Sequence, residues 1–153
     1  MKRVLILCTG NSARSQIAEG LFRALGGDRV EVFSAGTHPA GFVHPQAVQT
    51  MRERGIDISG QVSKSMDLYL EEEFDYVITV CDEANQVCPV FPGPHKRLHW
   101  STPDPSFITG DEETRKTAFR TTVARLEQKV KDLLSEIEKR NTEIRSQKSE
   151  TKN

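Results

Sequence analysis

The sequence has no long hydrophobic run. No apolar stretch approaches the roughly 20 residues a membrane helix needs. The run Val4–Leu7 follows Lys2 and Arg3. It is too short for the core of a secretion signal, and no small-residue cleavage site follows it. Net charge is nearly absent as well: 21 Lys and Arg stand against 22 Asp and Glu, leaving −1. Nothing global therefore favours nucleic acid or a membrane surface as a partner. Cysteine is scarce, and its count of three is odd. That fits a reducing compartment better than a secreted disulfide scaffold, so a cytoplasmic protein is expected. Apolar residues make up only 36% of the chain, partly because its C-terminus is densely charged. The 153 residues still suffice for one domain around a single core. No internal repeat is visible.

What is present alternates. Lys2–Cys8 is a nearly continuous apolar run, as in a strand buried on both faces of a parallel sheet. Ser15–Leu25 carries Ile17, Ala18, Leu21, Phe22 and Leu25 at helical spacing, with Gly26 and Gly27 as its stop. Val30–Ser34 reads as a second strand, Pro45–Arg54 as a helix ended by Gly55, and Met66–Leu70 as a short helix. Phe74–Val80 is a third strand running into Cys81, and Arg97–Trp100 a fourth. A last helix starts near Asp111, with Thr109 and Glu112 as a capping box. Its apolar stripe runs Phe119, Val123, Leu126, Val130, Leu133, Leu134, Ile137. The pattern predicts a three-layer α/β/α domain over residues 1–138 with a four-stranded parallel sheet. Residues 139–153 read as a charged tail, frayed helix or disordered. In such sheets ligands bind beyond the carboxyl ends of the strands. Cys8, Cys81 and the loop holding Asp104 all follow strands.

The loop Cys8-Thr9-Gly10-Asn11-Ser12-Ala13-Arg14-Ser15 lies between the first strand and the first helix. A loop there can turn successive backbone N–H groups inward as a nest. The following helix adds unpaired N–H groups and its positive dipole end. Arg14 adds a planar fork of donors suited to a tetrahedral oxyanion. The same groups stabilise a thiolate on Cys8, to which Ser15 can donate. Gly10 permits a positive φ and Asn11 tolerates one. Taken alone, Cys8 could be a buried strand-end thiol and Arg14 a surface residue. The strand, the Gly-Asn pair, the serine and the helix in sequence favour the anion-binding reading.

This loop, continued by Gln16-Ile17-Ala18-Glu19-Gly20, resembles the low-molecular-weight tyrosine phosphatase fold family, and within it the thioredoxin-coupled arsenate reductases. The resemblance runs from Lys2 to about Leu134 and includes Ser34-Ala35-Gly36 and Pro103-Asp104-Pro105. It implies a phosphatase-like fold and a Cys8 that attacks arsenate held by Thr9, Gly10, Asn11, Ser12, Ala13 and Arg14. Phosphate or sulfate would serve as analogues there. Asp104 is implied as general acid, although an Asp between prolines is also ordinary turn chemistry.

The segment Val80–Pro89 separates reductase from phosphatase. Hydrolysis needs one cysteine, whereas delivery of two electrons needs thiols that end as a disulfide. Cys81 and Cys88 are seven apart. On a regular helix they would sit about 10 Å apart along the axis, beyond disulfide reach, so pairing requires the segment to unwind or loop. They could instead be two buried structural cysteines or zinc ligands, although zinc favours closer spacing and His95 and His99 complete such a site poorly. The resemblance implies the relay: Cys81 attacks the Cys8 adduct, Cys88 then attacks Cys81, and thioredoxin reduces the final pair. It implies a monomer with no bound cofactor or metal, serving arsenic detoxification. The alternative is a tyrosine phosphatase using Cys8, Arg14 and Asp104; Ser106, where an aromatic would help a phenyl ring, argues mildly against it.

Two departures stand out. Some relatives hold potassium beside the loop with Asn, Glu, Ser and Asp side chains. Asn11, Glu19 and Ser34 match those positions, but Lys64 falls where the carboxylate would be. Its ammonium is expected to take the cation's place and pair with Glu19. Ala13 replaces a cysteine found in some relatives. His38 and His44 are read as surface or rim residues, and Trp100 as packing at a strand end.

Overall fold

A computed structural model describes residues 1–82 and 88–151 of the chain. Four parallel strands form one sheet: β1 (Lys2–Cys8), β2 (Val30–Gly36), β3 (Tyr76–Thr79) and β4 (Lys96–His99), in the order β2-β1-β3-β4. The helices are α1 (Arg14–Gly26), α2 (Pro45–Glu53) and α3 (Glu112–Thr151). This is the four-stranded parallel α/β architecture expected from the alternating pattern.

The apolar run of β1 is explained by its place between two cores. Val4, Ile6 and Cys8 face a large cluster with Ile17, Leu21 and Phe22 of α1, Ala47 and Met51 of α2, and the Phe119–Ile137 stripe of α3. Leu5 and Leu7 face the other way, onto Ala35, Phe74, Val77 and Phe91, with Phe33, Met66 and Tyr69 at the edge. That second layer is thin; a 3₁₀ turn, Met66–Tyr69, stands where the sequence suggests a short helix. Trp100 stacks on Phe22 with centroids 6.1 Å apart, which ties the end of β4 to α1.

One expectation differs at a helix end. The side chain that caps α3 is Asp111, which accepts from the Thr114 N–H at 2.8 Å, so the Thr109–Glu112 box is not what starts the helix. The helix runs past Lys139 to Thr151, over the stretch read as a frayed or disordered tail, with Glu136 and Arg140 paired at 3.0 Å near its start.

The topology fixes where the site falls. From β1 the chain moves one way to β2 and the other way to β3, so the crevice opens at the carboxyl end of β1. Cys8 ends that strand. Thr79 and His99 end β3 and β4 side by side in register, and the loop to Asp104 follows.

Candidate active site

The Cys8–Arg14 loop is shaped by the chain after β2. The N–H groups of Thr37, His38, Ala40 and His44 donate to the carbonyls of Cys8, Thr9, Gly10 and Ser12 at 3.3, 2.9, 2.9 and 2.9 Å. The Asn11 carbonyl accepts from Gln16 Nε2 at 3.0 Å. With these carbonyls bonded outward, the Asn11 N–H points in to Cys8 Sγ, an arrangement of the kind that can form an anion nest. Asn11 sits at φ 46°, the left-handed region that Asn tolerates best among residues with a side chain. Gly36 lets β2 approach: a Cβ there would lie 2.4 Å from the Thr9 carbonyl oxygen. Ala13 makes no side-chain cap on α1 and no acidic residue occupies its first turn, so the helix end is left open to the cavity.

The sulfur at the floor is held by counted donors. Cys8 is a free, buried thiol. Its Sγ is 2.9 Å from Ser15 Oγ and accepts from the Asn11 N–H at 3.1 Å. Asn11 Nδ2 donates to Ser15 Oγ at 2.8 Å and to Ser34 Oγ at 2.9 Å, which uses both of its protons. Ser15 therefore has its own proton free for the sulfur. Ser34 in turn donates to Glu19 Oε1 at 2.7 Å, and Asn11 Oδ1 accepts from the Lys64 N–H at 2.8 Å. Lys64 Nζ lies 3.7 Å from Glu19 Oε1 and donates to the Val62 carbonyl at 2.6 Å. Burial chiefly pushes the Lys64 ammonium below its ordinary value, with Arg23 adding to this and Glu19 opposing it. The sequence reading missed Arg23, which reaches Glu19 at 2.8 Å from one helical turn on.

Above the sulfur is a cavity of about 50 Å³ lined by Cys8, Gly10–Arg14, His44, Asp104 and Ser106. Arg14 is buried. Its Nη1 donates to the Thr102 carbonyl at 2.9 Å and its Nη2 lies 3.5 Å from Asp104 Oδ2. Those bonds aim the guanidinium across the loop mouth. Asp104 is fixed by the Ser106 N–H and hydroxyl, which donate to its Oδ1 at 2.9 and 2.7 Å, leaving Oδ2 toward the cavity side. Thr9 Oγ1 and Ser12 Oγ are buried with no protein partner, a pattern suited to an anion that supplies acceptors. No group of three metal-ligating side chains occurs in this cavity among the described residues.

His44 is more than a rim residue. The Gln46 N–H donates to its Nδ1 at 3.0 Å, so the neutral ring carries its proton on Nε2. The ring packs on Phe119 with centroids 4.9 Å apart. Burial lowers its proton affinity below the ordinary imidazole value, against the opposing charge of Asp104. A sequence signal existed in His44-Pro45 as a helix start, but nothing local placed the ring against α3.

Cys81 and Cys88 form a disulfide with Cα atoms 5.9 Å apart. The expected unwinding between them concerns residues 83–87, which lie outside the described residues. His99, set aside above as a poor completion, stands beside the pair: its ring nitrogen and the two sulfurs lie within 4.8 Å of one another.

Sequence and structure comparisons match this arrangement to known proteins. Residues 3–143 match the low molecular weight phosphotyrosine protein phosphatase family, and the chain belongs to it. Relatives within that family that the chain is similar to include arsenate reductases. One from Halalkalibacterium halodurans is 44% identical over 119 residues, 78% of this chain and 85% of the relative. A solved arsenate reductase in the phosphate binding state superposes with TM-score 0.75 at 33% identity, covering 90% of this chain and 99% of that one. A thioredoxin-dependent arsenate reductase from Corynebacterium glutamicum superposes with TM-score 0.69 at 30% identity, covering 90% of this chain and 62% of its own.

Proposed function

We propose that this protein reduces arsenate to arsenite through Cys8, Cys81 and Cys88. The observation that carries this is the pairing of sulfurs: Cys8 is free in the anion loop while Cys81 and Cys88 are bonded to each other. Arsenate is held by the inward N–H groups of Thr9, Gly10, Asn11, Ser12 and Ala13 and by the fork of Arg14. The Cys8 thiolate, supported by Ser15 and the Asn11 N–H, attacks arsenic. Asp104 gives a proton to the departing oxygen, which leaves as water. Cys81 then attacks Cys8 Sγ. The sulfur–arsenic bond breaks, its electron pair goes to arsenic, and arsenite leaves in the +3 state while a Cys8–Cys81 disulfide forms. Cys88 attacks Cys81, Cys8 leaves as thiolate, and the Cys81–Cys88 disulfide remains. A protein dithiol, thioredoxin, returns two electrons. The reaction runs in a monomer in the cytoplasm. Lys64, beside Glu19, stands in for a loop-side potassium ion.

The supporting test couples arsenate to NADPH consumption through thioredoxin and its reductase. Wild-type protein sustains turnover, and Cys88→Ser stops after the first cycle. Sustained turnover by that variant at the wild-type rate contradicts the relay. A second reading, phosphomonoester hydrolysis, is favoured by Cys8, Arg14 and Asp104 sharing one cavity. It needs neither Cys81 nor Cys88, so hydrolysis of p-nitrophenyl phosphate should survive Cys88→Ser.

A further inference from the structure

His99 takes no part in the chemistry above, yet it stands at the sulfur pair. It ends β4 in register with Thr79, the last residue of β3, and Cys81 follows two residues beyond Thr79. Its Nδ1 lies 2.7 Å from Thr79 Oγ1, which fixes the ring across the strand pair. Its ring nitrogen and both sulfurs lie within 4.8 Å of one another. Burial falls from Cys81, which is buried, through Cys88 to His99, which is exposed. The imidazole therefore connects a buried sulfur to water, and imidazole is the side chain whose charge changes near neutral pH.

We infer that His99 is a catalytic residue for the second half of the relay, its imidazole the proton acceptor beside Cys81 and Cys88 that makes the attacking sulfur a thiolate. This rests on the reading above for the step it serves, though not for the sulfur couple itself. In that step the Cys88 S–H gives its proton to the imidazole. The thiolate attacks Cys81 Sγ, the Cys81–Cys88 bond forms, the Cys8–Cys81 bond breaks, and the electron pair leaves on Cys8. The number of disulfides is unchanged. When an external protein dithiol later reduces the pair, the imidazolium returns its proton to the departing sulfur.

Among the described residues, the groups near the ring come from β3, from its own strand and from the segment after β3. From β3 the ring meets Thr79, which carries no charge. On its own strand Lys96 is turned to Glu136 of α3 at 3.2 Å, and Arg97 donates to the Pro89 carbonyl at 3.0 Å. Arg97 thereby anchors the stretch that follows Cys88. From the segment after β3 come Cys81, its neighbour Asp82 and Cys88.

The deciding experiment measures the midpoint potential of the Cys81–Cys88 couple in dithiothreitol redox buffers, for wild type, His99→Ala and His99→Asn. EDTA is present to keep trace metal off the reduced thiols. A group that favours the thiolate makes the couple more oxidising, so both variants should fall by about 30 mV, a tenfold change in the exchange constant. Arsenate-driven turnover should fall about tenfold near neutral pH, one unit of thiol ionisation, and recover in alkaline buffer. Hydrolysis of p-nitrophenyl phosphate should be unchanged, since His99 does not line the Cys8 cavity. An unchanged potential overturns the inference. So does a parallel loss of ester hydrolysis, which would assign His99 to the fold. If wild-type protein does not turn over arsenate, the proposed function fails while the potential still decides the role of His99.

Discussion

Asn11 shows how one residue organises the surroundings of the Cys8 sulfur. Its amide protons go to Ser15 and Ser34, its side-chain oxygen receives the Lys64 N–H, and its backbone N–H reaches Cys8 Sγ. Asn11→Ala removes a bond from three partners, two of them buried, and should cost about 2 kcal/mol of stability; thermal melting measures this. The same variant should slow ester hydrolysis, because Ser15 loses the bond that frees its proton for sulfur. Asp104→Asn keeps the turn but cannot protonate a leaving oxygen, so hydrolysis should drop about 100-fold. His44 gives a pH signature. Its ring is held below the ordinary imidazole value mainly by burial. As pH falls below about 6.5, the unfolded chain takes up a proton that the folded ring still resists, so stability is lost through that window and is full above it. Melting temperature should therefore fall on acidification, and His44→Gln should flatten the slope. That Cys8, Arg14 and Asp104 line one cavity was legible because each sits in a short local motif after a strand. The buried stacking of His44 on Phe119 was not, because the two residues meet only through tertiary packing.

At the scale of elements, the loop works because β2 and its following turn grip it from outside. Gly36 is the closest point of that grip, with the Thr9 carbonyl in the way of any side chain. Gly36→Ala must push backbone apart, at about 1–3 kcal/mol by analogy with overpacked cores. It should weaken binding of phosphate as well as lower the melting temperature, which calorimetry on both would show. The Glu19–Lys64–Arg23 cluster braces the same loop from the α1 side. With an ammonium already beside Glu19, activity should be equal in sodium and potassium buffers. A large specific potassium stimulation would contradict the placement of Lys64. β1 was legible over its whole length because both faces are buried, which leaves an unbroken apolar run. Helix ends were less legible: the α3 cap is set by Asp111 reaching Thr114, a choice among several polar residues that spacing alone does not make.

At the scale of the molecule, the strand order β2-β1-β3-β4 gathers three distant stretches at one sheet edge. Cys8 arrives on β1, Cys81 and Cys88 after β3, and His99 and Asp104 at and beyond β4. Chain order separates the two halves of the relay; topology joins them. The sequence named the three cysteines, but it could not show which two were bonded. That depends on chain geometry between Cys81 and Cys88, where a regular helix would hold them apart. The most direct test of the account uses fully reduced protein and excess arsenate without any external reductant. Arsenite should form at one per chain, and peptide mapping should find Cys81 bonded to Cys88 with Cys8 free. Arsenite release with all three thiols still reduced, or a final bond between Cys8 and Cys81, would contradict it.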